Sequence, residues 1–158
     1  MPIYLQIDGI QGDATHEQHR KWMDIEAIHW NVARNLNTAA GSATNREASE
    51  PTISEIVLTK VSDSSSTKLF QEAVAGRQGK RAVIHLVTTG SPGETYIEYN
   101  LTNTLVANYS IDSNGDRPLE TIKLNFTKLE VKYTPYDENN KPQSPMIASY
   151  DLSTTRAG

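Results

Sequence analysis

The stretch Pro118–Tyr136, PLETIKLNFTKLEVKYTPY, constrains the chain most. Ile122, Leu124 and Phe126 alternate with Lys123 and Asn125, which marks a β-strand with one face buried and one face wet. Leu129, Val131 and Tyr133 then alternate with Lys128, Glu130 and Lys132, but the apolar phase has moved from even to odd positions. A slip of one residue turns every later side chain to the opposite face. Something near Thr127 and Lys128 must absorb it, either a β-bulge or a passage from one sheet to another.

The rest of the chain reads as further strands around this one. Ile3–Ile7 is a short first strand, ended by turns at Asp8-Gly9 and Gln11-Gly12-Asp13. Trp22–Arg34 is a long strand, with Ile28, Trp30 and Val32 on a core side and Ala27, His29 and Asn31 on the other. Asn35–Glu50 is polar and aperiodic, the pattern of a long mobile loop. Ile53–Val61 is a strand. Ser64–Ser66 supply N-cap hydroxyls for one helix, with Leu69, Phe70, Ala73 and Val74 along one side and Gly76 after its end. Strands follow at Ala82–Val87, Glu94–Leu101, Thr104–Ile111 and Met146–Leu152, and Ser153–Gly158 reads as a frayed tail. This predicts a mainly β fold, a compact two-sheet β-barrel with one short flanking α-helix, in a single domain over residues 1–158. The expected core includes Ile28, Trp30, Leu69, Phe70, Ile122, Leu124 and Phe126.

A net charge of −4 gives no basic footprint for nucleic acid, and no stretch has the roughly 20 apolar residues of a membrane span. There is no cysteine, so neither a disulfide framework nor thiolate chemistry is expected. The N-terminus, MPIYLQIDGIQG, lacks a basic segment followed by a long apolar run and does not read as a secretory signal.

Catalytic and metal signals are weak. His16 and His19, in HEQH, are three apart in a segment rich in loop residues, whereas a zincin helix needs them four apart; a solvated loop is expected. Asp112–Asp116 begins like a calcium loop, but Arg117 and Lys123 stand where glycine and glutamate are needed. No nucleophile elbow, Walker loop or dinucleotide fingerprint is present. His85 reads as a half-buried strand histidine, and Glu94, Glu98 and Glu120 as solvated strand positions. No enzyme activity, cofactor or metal is expected.

Three separated blocks resemble the haemolysin-coregulated protein (Hcp) family of type VI secretion systems. They are IYLQIDGIQGDAT followed by His19, Trp22 and Ile28-His29-Trp30; Asp63–Leu69 through Ala75-Gly76; and PLETIKLNFTKLEVKYTPYD. The resemblance runs from Ile3 to about Tyr136. It implies a subunit of the secretion tube: a homohexameric ring that stacks into a hollow tube like that of phage tails. The implied partners are further copies of the chain, a contractile sheath, a spike protein and small effector proteins held in the lumen. It also implies residence in the bacterial cytoplasm before firing and export without a signal peptide. Ala27, His29 and Asn31 lie on the strand that resembles the family's channel-lining strand and are expected to face the lumen, with a neighbouring subunit as the alternative surroundings of His29. A histidine there could make the grip on cargo depend on pH near neutrality. The competing readings are an enzyme with a barrel cleft, which needs convergent polar groups, and a carbohydrate- or small-ligand-binding β-sandwich, which needs exposed aromatic platforms at Trp22, Trp30 and the tyrosines.

Overall fold

The computed structural model describes residues 1–38, 46–90 and 92–158. Its strands are β1 (Ile3–Ile7), β2 (Met23–Ile25), β3 (Ala27–His29), β4 (Val32–Ala33), β5 (Leu36–Thr38), β6 (Arg46–Ala48), β7 (Thr52–Ile53) and β8 (Ile56–Val61). The helix α1 (Ser66–Ala75) precedes β9 (Lys80–Val87), β10 (Thr95–Asp112), β11 (Leu119–Asn125), β12 (Lys128–Tyr133), β13 (Met146–Asp151) and β14 (Arg156–Ala157).

The axis of the fold is β10. Its first half pairs with β9 on one side and β12 on the other, and its second half pairs with β11. One sheet, here sheet A, therefore runs β2-β1-β9-β10-β12-β13-β14, and sheet B runs β10-β11-β8-β3. Every pairing is antiparallel. The sheets share β10 at one corner. At another, chain continuity through Glu26 joins β2 to β3, and the Glu26 amide donates to Thr59 O at 2.7 Å. The predicted barrel is thus corrected in one respect. Among the described residues the ladder does not close, because β2 pairs only with β1 and β3 only with β8.

The phase slip in Pro118–Tyr136 is a sheet change. β11 ends at Asn125 in sheet B, Phe126 and Thr127 leave the ladder, and β12 begins at Lys128 in sheet A. Phe126 and Leu129 are both buried, so both phases reach the same core from different sheets. β10 makes the same passage without breaking. Its register shifts between Leu101 and Thr104 and again between Val106 and Asn108. Asn103, with φ of 56°, takes the strained turn of the first shift. The break read at 102–103 in the sequence is this bulge.

The core is apolar and lies between the sheets. Leu5, Ile7, Met23, Ile56, Leu58, Ile84, Leu101, Ile122 and Leu124 meet there with Leu69 from α1. Ile28 and Trp30 are only partly buried at its margin, where Trp30 meets Tyr99 edge-on, and Val32 is exposed. Phe70 is not core: it is 58% exposed, as Val74 is 70% exposed. α1 turns Leu69 inward with Ala73 one turn later, which sends the neighbouring 70/74 stripe to the surface.

Three local expectations also change. Trp22–Arg34 is broken into β2, β3 and β4 rather than one strand. Ser65 caps no amide with its side chain; the Ser65 amide instead donates to Asp63 Oδ1 at 2.9 Å, and the Ser65 hydroxyl bonds the same carboxylate. The C-terminal tail turns back, so that Arg156 and Ala157 pair with Asp151 and Tyr150 as β14. Of the loop predicted over 35–50, the flanks β5 and β6 pair as a two-stranded ribbon, and residues 39–45 lie outside the described residues.

Candidate functional site

Sheet B has one face on the core and one face open. The open face carries Ala27, Thr59, Thr121 and Ser110 in one cross-strand row and His29, Val57, Lys123 and Asn108 in the next. These side chains are small or polar, and Ala27, His29, Ser110, Lys123 and Asn108 are exposed. An antiparallel sheet can stay wet on one side when its other side fills the core. Alternation in β3 therefore places Ala27 and His29 on this face, and Asn31 is exposed just beyond it, its amide donating to Ser54 Oγ at 2.8 Å. The result is a mostly polar, solvent-facing surface across four strands.

The opposite face of sheet B is held by a buried ionic cluster that sequence reasoning missed. Lys60 and Glu120 are directly opposed on β8 and β11, and both side chains are fully buried. Lys60 Nζ donates to Glu120 Oε1 at 2.7 Å, Asp63 Oδ1 at 2.9 Å and Val61 O at 3.0 Å, which uses all three of its donors. The other Glu120 oxygen accepts from Ser62 Oγ at 3.1 Å and from the Tyr109 hydroxyl. Burial alone would raise the Glu120 pKa; hydrogen bonds from Lys60 and Tyr109 overcome it and hold the carboxyl below its usual range. Burial and that same hydrogen bond push the Tyr109 hydroxyl up to about 12. Because Asp63 also organises the first turn of α1, the cluster ties the helix to sheet B. Glu120 falls in the apolar phase of its strand, inward with Ile122 and Leu124. That phase was the available signal, and reading Glu120 as solvated ignored it.

The covered outer face of sheet A holds the histidines. His19 is 1% exposed, so the loop HEQH is solvated only in part: Glu17 and Gln18 are exposed, and His19 turns inward. Its ring stacks on Tyr4 at 4.5 Å and 12° and meets Trp22 and His85 edge-on. His85 is partly buried, as expected, and bonds Glu98, which is itself partly buried. Among the described residues no group of three His, Cys, Asp or Glu side chains is arranged to hold a metal ion.

Apolar groups are also left outside. Tyr133, Met146 and Ile147 are exposed on β12 and β13, where Tyr133 is paired with Met146. Phe70 and Val74 are exposed on α1, and Leu36 on the β5–β6 ribbon. A two-stranded ribbon is marginal by itself in water. No described helix is long and apolar enough to cross a membrane.

Comparison with known proteins gives a single answer. The family described as "Type VI secretion system effector, Hcp" matches residues 4–133. The protein hcp1 of Pseudomonas aeruginosa is 25% identical over 138 residues, covering 84% of this chain and 83% of that protein. A solved type six secretion system protein superposes with a TM-score of 0.91 at 23% identity, over 99% of both chains. Hcp1 from Salmonella typhimurium gives 0.79 at 22% identity, over 99% of this chain and 98% of that one. At these identities the structural likenesses show the fold.

Proposed function

Since the chain belongs to the Hcp family of type VI secretion proteins, we propose that it is the structural subunit of a secretion tube. Six copies close into a ring, rings stack into a hollow tube, and the tube leaves the bacterial cytoplasm with its spike when a contractile sheath fires. Small effector proteins ride in the lumen. The chain itself carries out no catalysis.

The observation that supports this most is the open face of sheet B. It is mostly polar, with Ala27, Thr59, Thr121 and Ser110 in one row and His29, Val57, Lys123 and Asn108 in the next across four strands, and suits a water-filled channel wall. Ala27, His29 and Asn31 face the lumen in this reading. The exposed apolar groups at Tyr133, Met146, Phe70 and Leu36 then belong to contacts between copies. Ring assembly joins two different patches, and closure at six prevents open-ended lateral growth. The ribbon β5–β6 reaches a neighbouring subunit or the next ring. The competing ligand-binding sandwich would need a set of exposed aromatic platforms, whereas Trp22 and Trp30 are both partly buried against other side chains and Tyr133 is the one exposed tyrosine among the described residues.

Solution mass tests the reading. Light scattering behind a sizing column should give a particle near six times the 17.5 kDa subunit, and electron microscopy should show rings with an open centre. A strict monomer at high concentration would overturn it.

A further inference from the structure

The segment Gly12–Trp22 lies against the outer face of sheet A, and its fastening is unusual. His16 Nδ1 is 2.8 Å from His19 Nδ1, His19 Nε2 is 2.8 Å from His85 Nδ1, and His85 Nε2 is 2.6 Å from Glu98 Oε1. Three imidazoles thus stand in series and end on a carboxylate. Chemistry fixes the direction of the neutral chain. A carboxylate only accepts, so His85 must donate from Nε2 and, if neutral, accept at Nδ1. His19 must then donate from Nε2 and accept at Nδ1, which leaves His16 donating from its own Nδ1. One tautomer set satisfies every link with all three rings uncharged.

We propose that Gly12–Trp22 is a proton-operated latch, closed on sheet A while this chain is neutral and released when His19 takes a proton. The middle ring is the sensitive one. Among the described residues no carboxylate bonds it: Tyr4 of β1 covers one face, Trp22 one edge, and both ring nitrogens meet other imidazoles. Glu98 on β10 is one ring away and serves His85, and it also accepts from Asn100 at 2.9 Å. Lys132 on β12 pairs beside Glu98, and Asp24 on β2 pairs beside Tyr4. Asp13, Glu17, Arg20 and Lys21 stand on the loop's exposed rim. His16 is the partly exposed ring through which a proton would enter.

Burial first, then the charges that His85 and His16 can carry, lower the His19 pKa from 6.5 to about 4. The sign follows. A lowered histidine favours the closed state fully above the free value, and that advantage falls as pH drops from 6.5 towards 4. At pH 5 the closed state should be disfavoured by about 30-fold relative to pH 7.5, since each unit between the two values is tenfold. Release would uncover Tyr4 and Val87 on sheet A and, on the segment itself, Ala14 and Trp22.

The test uses the full chain and does not depend on whether it forms rings. Hydrogen bonds from the Gly12 amide to Lys21 O, Ala14 to Trp22 O and Lys21 to Ala14 O hold the segment in the folded form that rests on sheet A, and opening of the latch exposes these amides to hydrogen exchange. Protection of these amides, corrected for the intrinsic rate, should fall by about 30-fold between pH 7.5 and 5. Amides of Leu58 and Ile122 in sheet B should not change. His19→Gln, which does not titrate, should remove most of the pH dependence, leaving the smaller part owed to His85, whose pKa burial also lowers, and His16→Gln, which leaves His19 in place, should keep it. A loop whose protection is constant with pH, or lost in step with sheet B, would overturn the proposal. So would an unaltered pH response in His19→Gln.

Discussion

Replacing Lys60 with Met tests the buried cluster most sharply. The apolar chain fills similar space, but Glu120 loses its 2.7 Å partner and Asp63 its 2.9 Å one. The Glu120 carboxylate, wholly inaccessible to water, would keep only Ser62 and Tyr109. Removing one member of a buried pair typically costs about 3–5 kcal/mol, because the other charge stays behind without compensation. The pH dependence should also reverse. In the natural chain the folded-state pKa values of Glu120 and Asp63 are depressed. Their contribution is therefore present above the usual carboxylate range and is lost as pH falls through the lower folded values. Without Lys60, burial dominates Glu120 and its folded pKa rises above the unfolded one. Its favourable contribution is then present only at low pH and disappears as pH climbs through the raised value. Urea unfolding followed by circular dichroism at fixed protein concentration, at pH 7.5 and 4.5, measures both effects. The loss in Lys60→Met should be larger at pH 7.5, and adding Glu120→Gln should recover much of it. A loss below about 1 kcal/mol at pH 7.5, or a double variant no more stable than the single, would refute the reasoning.

Four further outcomes follow from the same structure. Phe126→Ala should cost about 3–5 kcal/mol in urea unfolding, because the ring is buried where the chain changes sheets. Phe70→Ser should change subunit stability by less than about 0.5 kcal/mol, and a larger loss would show that the ring is covered within the subunit. Deleting residues 39–48 should leave folded rings but weaken their stacking, read as shorter filaments by electron microscopy; unchanged filaments would remove the loop from that role. His29→Arg should block retention of a bound effector in pull-down while sparing the ring, and untouched retention would contradict the lumen-facing reading.

Much of the fold is legible along the chain because alternation reports burial directly. The move of apolar phase between Phe126 and Leu129 requires a bend or a change of sheet, and the chain changes sheets there. Legibility fails where local pattern and tertiary demand part. Phe70 is apolar at a helical spacing that fits the core, yet ten residues of helix offer one narrow inward stripe, which Leu69 takes. Glu120 is charged in a buried phase, and only its opposition to Lys60, 60 positions earlier, makes that tolerable. His16 and His19 sit among loop residues, and nothing nearby announces that His85 and Glu98 will continue their chain.

Neighbours two to four residues apart suffice to set a chain of strands, one short helix and the place where the main strand must turn, and three separated blocks carry the family resemblance. The tertiary structure alone decided which charges could be buried, which apolar rings were left outside and which histidines met. Those outcomes depend on partners brought together across 13 to 66 positions, and a buried charge or imidazole is stable only if the fold supplies its partner at hydrogen-bond distance.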